Sequence, residues 1–259
     1  MENKYPPKYV RPKELEKINI VSYGGGQNST AMIIEMKNRN IKIDEVIISD
    51  TGDEMPETYE FIKEFEVWCK KNNIPFVIIK SEHGRLRDYY FKRNLIPYRA
   101  FRHCTHKFKI IPMNKYIKEK YGIKEPINMF MGIASDESHR AGKIFGRKQF
   151  TYKFPLIDWE VDRKGCVDII KKEGLSIPVK SGCYFCPFQP KKSWRDLLKK
   201  HPELFQDSID FEKNCRAYPV GTLMGEKKLE EFRKEVKEQK VLFNEPDNPS
   251  YNACFYCHA

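Results

Sequence analysis

Short apolar runs alternate with longer segments of helical periodicity along the first two thirds of the chain. The runs have the length of strands and are bounded by turn-forming residues, whereas apolar residues in the segments between them recur every three or four positions. The runs predict five strands, at residues 18–24, 44–50, 75–80, 127–135 and 150–157. The segments between them predict helices at residues 29–37, 56–71 and 109–121. Strands that alternate with helices indicate an α/β fold, with a parallel sheet and helices on both faces.

The pattern changes near residue 176. A stretch rich in Pro, Gly and Cys comes first. Helical segments follow at residues 193–205, 208–215 and 226–240, and the chain ends in a tail without periodicity. The sequence therefore predicts an α/β domain over residues 1–175. It predicts a helical, cysteine-bearing C-terminal region over residues 176–259.

Three consecutive glycines, Gly24, Gly25 and Gly26, lie between the first predicted strand and the helix that follows it. Glycines in this position expose successive backbone N–H groups, and the start of a helix adds unpaired N–H groups and the positive end of its dipole. Hydroxyl donors flank the turn, namely Ser22, Ser29 and Thr30. The lysine of a Walker loop is missing. We predict that this loop holds phosphate groups, which makes residues 1–175 a nucleotide-binding domain.

The chain of 259 residues has a formal net charge of +11 and a sequence pI near 9.1. A polyanionic partner is one interpretation, and a solvated lysine-rich surface is the other. No stretch approaches the roughly 20 continuous apolar residues of a membrane span. The first residues carry no apolar signal segment. We therefore expect a cytoplasmic protein without a membrane partner.

Four of the eight cysteines form two Cys-x-x-Cys pairs, Cys183 with Cys186 and Cys254 with Cys257. In a long chain expected in the cytoplasm, metal or redox chemistry explains cysteines better than disulfides do. Such a pair binds zinc, binds an iron–sulfur cluster or acts as a redox dithiol. Because there are two pairs, a zinc site with four thiolates is one interpretation and stands as the alternative to a cluster or a redox dithiol.

The stretch SYGGGQNST resembles the PP-loop of the ATP pyrophosphatases, enzymes that cleave ATP between the α and β phosphates. Further segments resemble motifs of the phosphoadenosine and adenosine phosphosulfate reductase branch of that superfamily. In family order they are SDTGDEMPETYEFI, CTHKFKIIP, GIASDESHR and FPLIDW. The resemblance covers roughly residues 18–190. It implies the adenine nucleotide alpha hydrolase-like fold, which is Rossmann-like, and the binding of an adenine nucleotide such as ATP.

The resemblance also implies roles for single residues. Asp50 ends the second predicted strand, where it would hold Mg²⁺ through water or hydrogen-bond the nucleotide; capping the next helix is the alternative. Lys109 and Arg140 would place positive charge on phosphate oxygens, and Glu137 would orient a basic neighbour or a ribose hydroxyl. Asn28 stands in the nucleotide loop where many members have Asp, so no direct metal contact is implied there.

Iron–sulfur members of this branch have a cysteine pair before the Lys-x-x-Pro segment and a Cys-x-x-Cys pair downstream. Cys104, Cys183 and Cys186 match three of these positions, whereas His103 stands in place of the first cysteine. The resemblance thus implies a [4Fe–4S] cluster with three protein ligands, and zinc is the alternative. A tail cysteine, Cys215 or an exogenous sulfide would complete the fourth iron.

The tail resembles a reductase in one respect. Cys257 is followed by His258 at the end of the chain, and phosphosulfate reductases end in a segment with a catalytic Cys followed closely by His. The match is incomplete, because Cys254 adds a second cysteine where the family has one.

Three functions fit these observations. The first is an ATP-dependent sulfurtransferase that adenylates tRNA or DNA, releases pyrophosphate and inserts sulfur supplied by a cysteine desulfurase or similar partner. The second is a reductase of adenosine phosphosulfate or phosphoadenosine phosphosulfate, with Cys257 as nucleophile and a thioredoxin-like partner. The third is a zinc-stabilised nucleic-acid-binding module. The full glycine triplet favours the first, because a phosphosulfate has no β and γ phosphates to hold.

Overall fold

Five parallel strands form the central sheet, as the apolar runs predict. The computed structural model describes residues 17–122, 126–143, 150–217 and 221–238. The strands are β1 (Ile18–Tyr23), β2 (Glu45–Asp50), β3 (Phe76–Lys80), β4 (Ile127–Met131) and β5 (Phe150–Lys153). They are hydrogen-bonded in the order β3-β2-β1-β4-β5. The strand order reverses between β1 and β4, and ligands of open α/β sheets bind at the carboxyl ends of the strands beside such a point.

Helices connect the strands and continue beyond the sheet. Those before β4 are α1 (Gln27–Asn38), α2 (Pro56–Lys71), α3 (Leu86–Phe91), α4 (His103–Thr105) and α5 (Ile111–Tyr121), with a π-helical turn at His106–Ile110. Those after β4 are a 3₁₀ segment (Ser135–Lys143), α6 (Pro155–Asp158), α7 (Arg163–Lys172), α8 (Lys191–Lys200), α9 (Pro202–Asn214) and α10 (Leu229–Glu238). Within the described ranges, no helix combines the length and the apolar character needed to cross a membrane.

Two predicted strands, the fourth and the fifth, are each four residues shorter in the structure than the prediction. The fourth ends at Met131, immediately before Gly132. The fifth ends at Lys153, and its predicted continuation to residue 157 is wrong because Pro155 begins α6. Proline lacks the N–H that a strand ladder needs, and its fixed φ suits the first turn of a helix.

The predicted helix over residues 193–205 is in fact parts of two helices. The first of them, α8, ends at Lys200, and α9 begins at Pro202 and continues through most of the predicted segment 208–215. Between them His201 has φ −134° and ψ 65°, outside the helical region. A residue that precedes proline is sterically driven away from helical angles, so the break follows from the His-Pro sequence.

Both faces of the sheet are buried, because successive residues of a strand point to opposite sides. On one face Val21 packs with buried residues of α1, α2 and α7. On the other face Ile20 and Ile47 pack with Met113 and Ile117 of α5. A sheet covered on both faces explains why its strands are continuous apolar runs and do not alternate with polar residues.

A third apolar cluster joins the C-terminal helices to segments that follow the carboxyl ends of the strands. It contains Leu86 of α3 and Phe108 of the π-helical turn, together with Trp194, Phe205 and Phe211 of α8 and α9. The C-terminal helices therefore share a core with residues that precede position 175. The division of the chain at that position stays a prediction.

The loop after β4 touches the start of α1. A Cβ atom on Gly132 would lie 2.5 Å from Cα of Ser29 and 2.6 Å from its backbone nitrogen. Real Cβ atoms do not approach backbone this closely, so the contact requires glycine. It brings the 3₁₀ segment after β4 against the glycine turn.

We expect Gly132→Ala to lower the free energy of unfolding by about 1–3 kcal/mol, because its methyl group overpacks against backbone atoms. Gly142→Ala is the matched control, since a Cβ there would meet nothing within 4 Å. Urea-induced unfolding measures both variants. Equal losses in the two variants would contradict a steric requirement at Gly132.

Candidate active site

The glycine turn is fixed from within by the hydroxyl groups that follow it. Gly25 has φ +70°, a left-handed conformation that favours glycine, and α1 begins directly after Gly26. The hydroxyls of Ser29 and Thr30 donate to the Gly26 carbonyl at 3.2 and 2.9 Å, and both residues are fully buried. Their hydroxyls thus hold the turn in shape, while the first N–H groups of α1 lack partners inside the helix and are suited to bind an anion.

A cavity of about 340 Å³ lies beside this turn, at the carboxyl ends of β1, β2 and β3. Its apolar wall is formed by Ile48, Ile62, Ile78 and Met113. Its polar lining is formed by Ser22, Gly24, Asp50, Glu54, Thr58, Tyr59, Lys63, Lys80 and Lys109. A cavity with an apolar wall on one side and converging polar groups on the other has the character of a small-molecule site.

Asp50 points into this cavity and is held by its own loop. Its Oδ1 accepts hydrogen bonds from the Gly52 backbone N–H at 2.8 Å and from the Tyr59 hydroxyl at 2.7 Å. Burial and the neighbouring carboxylate raise the pKa of Tyr59, so its proton stays in this bond. Asp50 does not cap α2, whose N-cap residue is Met55 and has no side-chain cap.

Glu54 forms an ion pair with Lys109 at the inner end of the cavity. The distance from Lys109 Nζ to Glu54 Oε1 is 3.2 Å, and Oε1 also accepts from the Thr51 hydroxyl at 3.3 Å. Burial alone would lower the pKa of Lys109, but the charge of Glu54 and the hydrogen bond to it raise it. The amine is therefore a cation in the folded protein.

Two buried polar atoms of this cavity lack a protein partner. Oε2 of Glu54 and Oγ1 of Thr58 are inaccessible to solvent and make no hydrogen bond to any described residue. Such atoms are rare in folded proteins and indicate a missing ion, water or ligand. The sequence alone assigns Glu54 no role in the site, because an acid just before a helix is also the usual pattern of a cap.

The first Cys-x-x-Cys pair packs against the same loop. Cys183 forms an antiparallel β-bridge with Glu54, and its Sγ lies 3.2 Å from the Thr51 hydroxyl. The backbone N–H of Cys186 donates to the Cys183 carbonyl at 2.9 Å, which closes a tight turn between the two thiols. We call residues 181–189 the cysteine loop.

A second cavity of about 290 Å³ lies over the cysteine loop and is lined by Cys183, Cys186 and Phe188 among others. Ser181 of its lining reaches the glycine turn, where a Cβ on Gly26 would lie 3.1 Å from the Ser181 hydroxyl oxygen. The glycine turn thus lines the first cavity through Gly24, and at Gly26 it contacts Ser181, which lines the second.

The predicted ligand residues Cys104, Cys183 and Cys186 lie in one neighbourhood. Burial raises the pKa of all three thiols, that of Cys186 to about 11. The Glu54 carboxylate raises the pKa of Cys183 and Cys186 further, and the Lys109 ammonium opposes the shift at Cys104 and Cys183. Thiols next to a cation are donors for zinc or an iron–sulfur cluster, which displaces their protons. Within the part of the chain that the structure describes, no group of three or more Cys, His, Asp or Glu side chains is positioned to hold a metal.

A buried carboxylate connects the glycine turn to the 3₁₀ segment and α7. Glu137 accepts from Asn28 Nδ2 at 2.8 Å, pairs with Arg140 at 3.0 Å through Oε2, and accepts from Arg163 through Oε1. Burial alone would raise the pKa of Glu137, but the two arginines lower it. The side chain of Asn28 is thus engaged with Glu137, and the predicted residues Asn28, Glu137 and Arg140 form one network.

The remaining predicted residues lie away from the two cavities or outside the residues that the structure describes. Cys215 is half-buried in the cluster of C-terminal helices, where its Sγ would be 2.9 Å from a Cβ on Gly221. Cys254, Cys257 and His258 lie outside the described residues.

Residues 18–177 match the family model of the phosphoadenosine phosphosulfate reductase domain. The match covers more than half of the chain, and the chain therefore belongs to this family, a branch of the PP-loop superfamily. The predicted fold class is confirmed by the parallel five-stranded sheet with its flanking helices.

Curated relatives of the whole chain have no stated activity. Two proteins of Methanocaldococcus jannaschii are 26% and 25% identical over 86% and 83% of this chain, and over 54% and 45% of their own lengths. A nin region protein of Escherichia phage lambda is 28% identical over 65% of both chains. The chain thus spans about half the length of the archaeal relatives.

Two solved structures overlap with the chain in part. One is phosphoadenylyl-sulfate reductase from Candida auris in a phosphate complex, with TM-score 0.46, 15% identity and coverage of 64% of this chain and 76% of the other. The second is the U34-tRNA thiolase NcsA from Methanococcus maripaludis with its [4Fe-4S] cluster, with TM-score 0.45, 14% identity and coverage of 85% and 81%. At this level of similarity neither structure defines the activity of the chain.

We expect Glu137→Gln to lower the free energy of unfolding at pH 7 by about 3 kcal/mol, because it leaves two arginines without their buried counter-charge. The folded pKa of Glu137 lies below its ordinary value of 4.5. The difference from wild type should therefore be full above pH 4.5 and disappear as the pH falls through the folded pKa.

Asp136→Asn is the control for this variant, since the Asp136 side chain is 46% exposed and lies 3.9 Å from Arg163. Chemical denaturation of the three proteins between pH 7 and low pH measures the effect. A Glu137→Gln loss that does not change with pH would argue against an ionised Glu137 in the folded state.

Proposed function

We propose that the protein is an ATP-dependent sulfurtransferase. An oxygen of the acceptor attacks the α phosphorus of ATP, the bond to the β-phosphate oxygen breaks, and pyrophosphate leaves. Sulfide then attacks the adenylated acceptor carbon, and AMP leaves with the former acceptor oxygen. Loss of the sulfur proton completes the replacement of oxygen by sulfur without any net oxidation or reduction.

The observation that supports this proposal best is that the glycine turn both lines the first cavity and contacts the cysteine loop. Gly24 borders the cavity that contains Asp50 and Lys109, and Gly26 touches Ser181 of the cysteine loop. A nucleotide whose phosphates bind the turn would thus have its reacting end close to the thiols. Adenylation and sulfur transfer require that proximity, because the second step consumes the product of the first.

Fixed donors of the turn would stabilise the leaving pyrophosphate. The N–H groups at the start of α1 would face the developing negative charge, and the Lys109 ammonium is already a cation in the folded protein. Arg140 is 5% exposed and would add a second positive charge near the turn, where its partner Glu137 contacts Asn28. In this role Ser29 and Thr30 would act through the Gly26 carbonyl by holding the turn.

The carboxylates of the first cavity are suited to hold Mg²⁺. Asp50 lines the cavity, and Glu54 offers a buried oxygen that has no hydrogen-bond partner among the residues the structure describes. Hard oxygen ligands of this kind are those that Mg²⁺ takes, usually one or two carboxylates together with phosphate oxygens. Bound there, Mg²⁺ would neutralise charge on the phosphates of ATP.

Cys104, Cys183 and Cys186 would hold a [4Fe–4S] cluster, with zinc as the alternative ion. A cluster with three protein ligands supplies an open iron position at which sulfide can bind. The chain's own contribution is to bury the three thiols beside Lys109, whose charge compensates for the thiolates. The net charge of +11 is suited to a tRNA or DNA acceptor, and a cysteine desulfurase with a thiol reductant would supply the sulfide.

A phosphosulfate reductase is the second candidate, and the family model supports it. In that reaction Cys257 attacks the sulfur of adenosine phosphosulfate, the bond to the phosphate oxygen breaks, and the nucleotide leaves. A thioredoxin-like dithiol then releases sulfite from the cysteine thiosulfonate and is oxidised to a disulfide. ATP is not consumed.

We expect anaerobically purified protein to convert Mg·ATP to AMP and pyrophosphate in the presence of acceptor tRNA or DNA. Lys109→Met should lower this rate about 100-fold, because it removes a buried cation from the developing charge. Lys118→Met is the matched control, as Lys118 is exposed on α5 and outside the cavity. Release of sulfite from adenosine phosphosulfate with a thiol reductant, without ATP cleavage, would favour the reductase.

We expect iron and acid-labile sulfide in the purified protein, and their loss in the double variant Cys183→Ala/Cys186→Ala, because two of three predicted ligands are removed. Cys166→Ala is the control, since Cys166 is buried in the core beside α1, away from the cysteine loop. Elemental analysis and visible absorption measure the content. Stoichiometric zinc without iron would contradict the cluster and support the zinc site.

A further inference from the structure

Three exposed rings lie side by side in the segment before Cys104. Tyr98 and Phe101 are 47% and 58% exposed. The ring centroids of Tyr98 and Phe101 are 5.7 Å apart, and those of Phe101 and His103 are 5.6 Å apart with planes within 28°. We call Tyr98, Phe101 and His103 the aromatic platform. Large apolar side chains that are this exposed and adjacent indicate a binding surface.

The platform lies in a strongly cationic part of the chain. Residues 89–118 contain eight Lys and Arg side chains and no Asp or Glu. Arg102 has φ +46°, a left-handed conformation that is uncommon for a residue with a side chain, and its guanidinium lies 4.4 Å from the Phe188 ring centroid. A partner of the platform would therefore meet aromatic faces and positive charge together.

The platform is fastened to the cysteine loop. Nε of Arg99 donates to the Pro187 carbonyl at 2.6 Å, and its NH2 donates to the Met224 carbonyl at 3.2 Å. Phe188, on which Arg102 stacks, lines the second cavity with Cys183 and Cys186. A chain molecule bound along the platform can thus continue into the second cavity.

We propose that the aromatic platform binds single-stranded nucleic acid by stacking on its bases, and so positions an unpaired target base at the second cavity. Base stacking on aromatic rings combined with a cationic track is how single strands are bound without sequence readout. An apolar protein segment would contact the rings alone, whereas a nucleic acid would interact with both the rings and the positive charge of residues 89–118. The proposal rests on the sulfurtransferase function only in naming what the bound strand is for.

The test measures binding in the absence of ATP. Full-length protein is titrated against fluorescein-labelled oligonucleotides of about 16 nucleotides, as single-stranded RNA, single-stranded DNA and duplex, and anisotropy is recorded over a salt series. Phe101→Ala should weaken single-strand binding about tenfold. The slope of affinity against salt should stay unchanged, because no phosphate contact is removed. Phe101→Trp should restore most of the affinity.

Val67→Ala is the matched control, since Val67 is 54% exposed on α2, away from the platform. It should bind as the wild type does. Three outcomes would overturn the proposed role of the platform. They are equal affinity of Phe101→Ala and wild type, equal affinity for single strands and duplex, and no binding by the wild type. A difference between the RNA and DNA arms identifies the acceptor.

This test and the test of the proposed function fail independently. If single strands bind through Phe101 but no pyrophosphate is released, the platform proposal stands and the sulfurtransferase proposal fails. Pyrophosphate release that depends on Lys109, with single-strand binding indifferent to Phe101, retains the function and overturns the platform.

Discussion

The candidate site depends on one buried carboxylate, Glu54. It pairs with Lys109 from the π-helical turn and joins Cys183 of the cysteine loop through a β-bridge. A buried carboxylate without partners would be costly, so these contacts tie together segments that lie more than 50 positions apart in the sequence. Because one Glu54 oxygen still lacks a hydrogen-bond partner among the described residues, the same carboxylate has capacity left for an ion or ligand.

The thiols and Lys109 constrain each other. Burial raises the pKa of Cys183, so the thiol is neutral in the folded protein as described, whereas Lys109 and Glu54 form a balanced pair. Deprotonation of the thiols would add negative charge that the single ammonium cannot balance. Binding of the proposed metal ion or cluster would supply positive charge for such thiolates, so the charge balance of the site agrees with the proposal.

Much of the fold could be predicted, because a sheet buried on both faces leaves apolar runs in the sequence. Two errors lie beside a proline, at Pro155 and at His201, because apolar periodicity does not register proline's missing N–H or its steric effect on the preceding residue. The third is the fourth predicted strand, which ends at Met131, before Gly132. In the site, the glycine turn follows from its local sequence. The role of Glu54 does not, because its partners Lys109 and Cys183 are brought to it only by the tertiary fold.

The arrangement of the two cavities gives the proposed reaction an order. The first cavity is lined by Gly24 of the glycine turn. The second is lined by Ser181, which contacts Gly26, and by Phe188, on which Arg102 of the platform segment stacks. Nucleotide and acceptor would thus approach the turn from different sides and meet where Gly26 touches the cysteine loop. A phosphosulfate reductase needs only one substrate at this place. A second cavity beside the thiols, close to exposed rings and cations, is suited to a polymeric acceptor, and this favours the proposed sulfurtransferase over the reductase.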